Sequence, residues 1–168
     1  MLDDKDTHQD REVHPAGHTG RPRRKEPEGE GGELSCAAFG YLRGIRERAE
    51  ALELRFQNGN SMWFPYTWLG NWQYNPSDGL LIKFSGDLTY LVLIRGSNLD
   101  RPLSDTTTNL TSSGLQRHRI VWMREMNAEE ARQVGETAPT IDSIEVVEFE
   151  SNDDLKEWLA KTAPSFLH

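Results

Sequence analysis

One cysteine, Cys36, stands in 168 residues, which excludes an internal disulfide framework and fits a reducing compartment. No apolar run approaches the roughly 18–20 residues that span a bilayer, and the acidic first residues lack the apolar core of a signal peptide. A cytoplasmic location is therefore expected, and the Asn109-Leu110-Thr111 sequon carries no weight. Histidine is scarce: His8, His14 and His18 lie in a charged leading segment, His168 is terminal, and only His118 belongs to the body. Flanked by Arg117 and Arg119, it reads as a solvated strand-entry residue rather than a general base. His14 and His18 are four apart but have no helix to present them, and no Cys/His spacing resembles a zinc motif. A phosphate loop is also missing, because Gly29, Gly31 and Gly32 follow no strand. Asp153 and Asp154 sit at a helix start, where they favour the dipole. These absences predict no catalytic residue, no metal and no cofactor.

Hydrophobic residues make up only 36% of the chain, and the shortfall is local. Residues 1–33 have Met1, Leu2 and Val13 as their large apolar side chains, too few to offset an ordering cost of roughly 1–2 kcal/mol per residue. They are expected to be a disordered charged tail. Charge divides the remainder: residues 34–124 carry 7 acids and 10 bases, residues 125–168 carry 11 acids and 3 bases. A mildly basic β-meander domain over 34–125 is thus followed by an acidic extension over 126–168, read as helix, strand and helix packed on the same domain.

Turn signals at Asn58-Gly59, Asn75-Pro76-Ser77-Asp78-Gly79 and Ser85-Gly86-Asp87 separate short alternating runs, the mark of antiparallel strands. Ser35 is expected to cap a helix over 36–49, with Ala38, Tyr41, Leu42, Ile45 and Ala49 on one stripe; Gly40 and Gly44 weaken it by about 1 kcal/mol each. Strands follow at 52–57, from Ser61 to Trp68 or beyond, at 79–84 and at 88–95. A three-residue turn at the first hairpin sets Met62 and Phe64 with Leu54 and Leu52, and Pro65 marks an edge or bulged strand. Leu81, Leu91 and Leu93 make the second face of the later strands apolar too, so either the sheet curls towards a barrel or helices cover that face. Residues 99–116 read as a Ser/Thr/Asn-rich loop with room for a short helical turn. A strand at 118–124 pairs Ile120 with Trp122 on one face, a helix covers 128–134, a strand covers 142–149, and Asn152 caps a last helix carrying Leu155, Trp158 and Leu159. The fold class is α+β: a mainly antiparallel, strongly bent or barrel-like sheet of five to six strands with an N-terminal and a C-terminal helix.

Two features stand above this background. Trp63, Phe64, Tyr66, Trp68, Trp72 and Tyr74 fall within twelve residues; on a continuous strand all but Trp63 would share one face. A small domain has no room for all of them in its core, so Trp63, Tyr66, Trp68, Trp72 and Tyr74 are candidates for contact with a partner, unless a bulge at Pro65 or Gly70 divides them. The second is the basic set Arg95, Arg117, His118 and Arg119, with Arg101 and Arg124 nearby, a candidate contact for an anion or nucleic acid. The sequence pI of about 5.1 disfavours RNA.

The helix-then-strands layout, with Arg95-Gly96 flanked by Ile94 and Ser97, resembles Sm-like proteins, in which an Arg-Gly pair of the second motif helps bind RNA. Asn71 or Asn75 stands in the region of the first motif, with no Asp at the expected spacing. Residues 51–125 also resemble a small uncharacterised bacterial β domain through Asn58-Gly59, Phe64-Pro65-Tyr66, Gly96-Ser97-Asn98-Leu99, Leu103 and Arg124-Glu125. The first resemblance implies single-stranded RNA binding; the second implies no activity. The residues themselves point to a non-enzymatic domain that binds a protein partner or forms a homo-oligomer, with no membrane contact.

Overall fold

The computed structural model describes residues 31–103 and 107–167; most of the charged leading segment lies outside these. Among the described residues, nine strands form two sheets. The first contains β1 (Glu33–Ser35), β2 (Phe39–Leu42), β3 (Ala51–Arg55), β4 (Ser61–Pro65) and β8 (Ile120–Arg124), in the order β1-β2-β8-β3-β4. The second contains β5 (Leu69–Asn75), β6 (Gly79–Ser85), β7 (Thr89–Ser97) and β9 (Thr140–Phe149), in the order β5-β6-β7-β9. All neighbours are antiparallel except β3 and β8. Helices α1 (Ala128–Gln133) and α2 (Asn152–Thr162) complete the elements used below, with short helical turns at Tyr66–Trp68, Leu110–Leu115 and Pro164–Phe166. Among the described residues no helix is long and apolar enough to cross a membrane.

Period-two alternation builds the core between the sheets. Leu52, Leu54 and Phe64 of one sheet meet Leu80, Ile82, Phe84, Val92 and Ile94 of the other, and the Phe64 and Phe84 rings stack at 4.5 Å. The opposite face of β6 and β7, carrying Leu81, Leu91 and Leu93, is apolar because α2 and the turn after it cover it with Leu159, Ala163 and Phe166. Ser151 starts α2, its Oγ accepting the Asp154 N–H at 3.2 Å, one residue before the expected Asn152 cap.

The hairpin register is Leu52 opposite Phe64 and Leu54 opposite Met62, with Phe56 N–H donating to Asn60 C=O at 2.9 Å, as a three-residue turn requires. Pro65 ends β4, which is an edge strand. After β7, Leu99, Leu110 and Leu115 are fully buried, and Leu110–Leu115 forms a short helical turn.

Three expectations fail. No helix occupies 36–49. Ala38, Phe39, Gly40 and Tyr41 are buried consecutively in β2, while Ile45, counted on the helical stripe, is 70% exposed. The reason is tertiary: β2 pairs with β8, some eighty residues later, and a Cβ on Gly40 would lie 2.5 Å from Cε2 of the Trp122 indole. Nor do the strands close a barrel; they divide into two open sheets where Pro65 and the Tyr66–Trp68 turn carry the chain from β4 to β5. Ile120 and Trp122 do not share the core face. A register shift between Gly40 and Tyr41 leaves Ile120 and Met123 inside and sends Trp122 to the outer side.

Replacing Gly40 by Ala forces a methyl into that indole, and a loss of about 1–3 kcal/mol is expected. Denaturant unfolding of the two chains measures it; an unchanged midpoint would contradict the Gly40–Trp122 packing.

Candidate interaction surface

One row of directly paired residues crosses the outer side of the five-stranded sheet: Gly40, Trp122, Glu53 and Trp63. Gly40 leaves the Trp122 indole room to lie flat on the sheet. Its Nε1–H donates to Glu33 Oε1 at 2.6 Å, and the Arg55 guanidinium sits 4.4 Å from its ring centroid. Arg55 Nη2 also meets Glu53 Oε2 at 3.0 Å, while Glu53 Oε1 accepts from Ser61 Oγ at 2.9 Å. The Arg55 bond, against a smaller opposing burial effect, holds the Glu53 carboxyl below its ordinary value. Trp122 is consequently sealed at 8% exposure. Trp63, one strand further out, remains 60% exposed.

The remaining aromatic candidates are engaged inside the chain. Tyr66 is buried, and its hydroxyl donates to Ile120 C=O at 2.6 Å; burial pushes its phenol pKa up. Trp68 packs over Gly86 and stacks with Tyr90 at 6.3 Å. Trp72 Nε1–H donates to Thr111 C=O at 2.9 Å, tying the Leu110–Leu115 turn to β5. Half-buried Tyr74 has its pKa raised first by burial and then by the adjacent Asp100 carboxylate. The break after Pro65 and the shift between Leu69 and Trp72 divide these rings between core and surface.

The basic candidates do not form one patch. Arg95 Nη2 donates to Thr162 C=O at 2.8 Å, completing the last turn of α2. Buried Arg119 donates to the Leu42 and Arg43 carbonyls at 2.8 and 3.2 Å. Arg117 is exposed, and its carbonyl accepts from Arg48. His118 adopts φ +52° and stacks on Tyr66 at 4.6 Å; desolvation, then Arg48, lowers its pKa below the ordinary 6.5. The thiol of Cys36 is raised by burial. Among the described residues no group of three or more His, Cys, Asp or Glu could hold a metal ion.

Sequence reasoning missed Met62, which is 39% exposed beside Trp63, and the Glu53–Arg55–Trp122 ladder. A signal for the ladder existed in the strict alternation of Glu53 and Arg55; its partner on β8 had none, because the two segments are far apart in the chain. Comparison with protein-family models, curated proteins and solved structures finds no match to this chain.

His118 supplies a pH test. The fold prefers its neutral form, so the stability it contributes is complete above about 6.5 and is lost as pH falls through the lowered folded value. Asn tolerates the left-handed backbone and does not titrate. Thermal unfolding between neutral and mildly acidic pH should therefore slope less for His118→Asn than for the native chain; equal slopes would refute the assignment.

Proposed function

We propose that this chain is a non-enzymatic interaction domain that engages a partner polypeptide along the β4 edge, with Trp63 as its anchor. The observation that carries this reading is the indole of Trp63, 60% exposed on an edge strand while the neighbouring rings are committed to the chain itself. An exposed aromatic beside unpaired strand backbone is suited to strand addition, where main-chain bonds give affinity and side-chain contacts give selectivity. The body's one histidine lies flat against Tyr66 with Arg48 as its charged neighbour, which gives acid–base chemistry no support. The alternative, an Sm-like RNA binder using Arg95, Arg117, His118 and Arg119, draws none from Arg95 and Arg119, whose guanidinium groups are occupied by backbone carbonyls.

Selection from a displayed random-peptide library, run in parallel on the native chain and Trp63→Arg, tests the proposal. The native chain should enrich peptides of high β-propensity, and the variant should lose them. No enrichment, or the same enrichment on both, would overturn it.

A further inference from the structure

We infer that the β4 edge accepts the β4 edge of a second copy of this chain, antiparallel and centred on Trp63. This inference rests on the interaction reading above and names its partner. Backbone geometry shows which groups are available. Phe56 N–H donates to Asn60 C=O and Tyr66 N–H to Glu50 C=O, both at 2.9 Å, at the two ends of the β3–β4 ladder. Those bonds set the parity of the closely bonded pairs, so Met62 and Phe64 turn their backbone towards β3. Ser61, Trp63 and Pro65 turn theirs outward. Pro65 has no N–H, leaving two donors and three acceptors on the edge.

A twofold antiparallel pairing makes four hydrogen bonds about either of two centres, Met62 or Trp63. Centring on Met62 sets Pro65 against Gly59, which sits in the hairpin turn at φ +88° and cannot continue a ladder. Centring on Trp63 pairs all five residues of each strand. Trp63 exchanges two bonds with its counterpart, and each Ser61 N–H donates to the opposite Pro65 C=O, so the missing proline donor costs only one acceptor per side. The two exposed apolar side chains of the strand lie on opposite faces: Trp63 outside, Met62 on the inner side beside Phe56 and Val146. A ligand resting on one face would cover one of them, whereas a strand added in the plane of the sheet flanks both.

Charge and regular pairing together separate β4 from the other edges. Ser61–Pro65 carries no charged residue in a chain of net charge −8, so self-pairing opposes no like charges. On β9, Glu145 and Glu148 are exposed, and its edge is partly taken by Glu125, whose carboxylate accepts Ile144 N–H, and by Met126 N–H on Ile141 C=O. β1 has three residues and an acid, and β5 is interrupted by its register shift. These are devices that discourage edge pairing, and β4 has only its shortness and Pro65. A five-residue edge spans only about 17 Å, a contact of the small, transient class, so the dimer should dissociate in the micromolar range.

Sedimentation equilibrium of the full chain, from sub-micromolar to sub-millimolar concentration, should show a monomer–dimer equilibrium that Trp63→Lys weakens about thirtyfold, the effect of losing an aromatic anchor. Near-ultraviolet circular dichroism verifies that the variant is folded. Register is read by oxidising an equimolar mixture of Ser61→Cys and Pro65→Cys chains, both also carrying Cys36→Ser. Directly opposed residues are about 5.5 Å apart, within disulfide reach, so the mixed disulfide should dominate. Homodimeric disulfides in excess, or a dimer indifferent to Trp63→Lys, would overturn the inference. A chain that stays monomeric yet selects Trp63-dependent peptides overturns the second copy and leaves the edge as an interaction site. A monomer that selects none overturns both readings.

Discussion

Strand β8 is the constraint on which the rest of the architecture depends. It enters between β2 and β3, antiparallel to one and parallel to the other, and joins what would otherwise be two separate hairpins into one sheet. Its exit also ties that sheet to the second one. The Glu125 carboxylate accepts Gln57 N–H from beyond β3 and Ile144 N–H from β9, both at 2.8 Å, while Met126 N–H reaches Ile141 C=O. A carboxylate that receives two backbone donors from different sheets is a charge-assisted clamp, stronger than neutral bonds between the same elements.

The clamp and the apolar interior act together. Phe64, Leu52 and Leu54 have their complement in Phe84, Ile82 and Val92 only when the two sheets face each other. The Leu99–Gln116 excursion adds Leu99, Leu110 and Leu115 to the same interior, and Trp72 binds it in place through Thr111. On the other side of β6 and β7, α2 closes a separate apolar cluster, with Arg95 finishing its C-terminal turn. Three layers result, and the outer face of the five-stranded sheet bears Trp122 and Trp63. Trp122 is shielded by Arg55 and Glu33, while Trp63 on β4 stays exposed.

Much of this was legible locally. The Asn58-Gly59 hairpin register, β6 and β7, β9 and the stripe of α2 follow from patterns of a few residues, where alternation or 3.6-residue spacing matches the burial found. The segment 36–49 was not legible. Its spaced apolar residues fit a helix, yet Phe39, Gly40 and Tyr41 are recruited into a strand by Met123, Trp122 and Ile120. Pairing over such a distance overrides a weak helical propensity already reduced by two glycines. The aromatic run misled for a related reason: alternation assumes one continuous strand, and the chain changes sheets at Pro65.

By itself the sequence determined an antiparallel, strand-rich body, a C-terminal amphipathic helix and a proline-marked edge at β4, because each depends on side chains close together in the chain. Tertiary structure alone decided that there are two sheets rather than a curled one, that the arginines serve separate backbone carbonyls, and that of six clustered aromatic residues Trp63 is the one left open. Those outcomes turn on which distant strand supplies the missing hydrogen bonds, and a periodic pattern of apolar residues does not encode the identity of its partner.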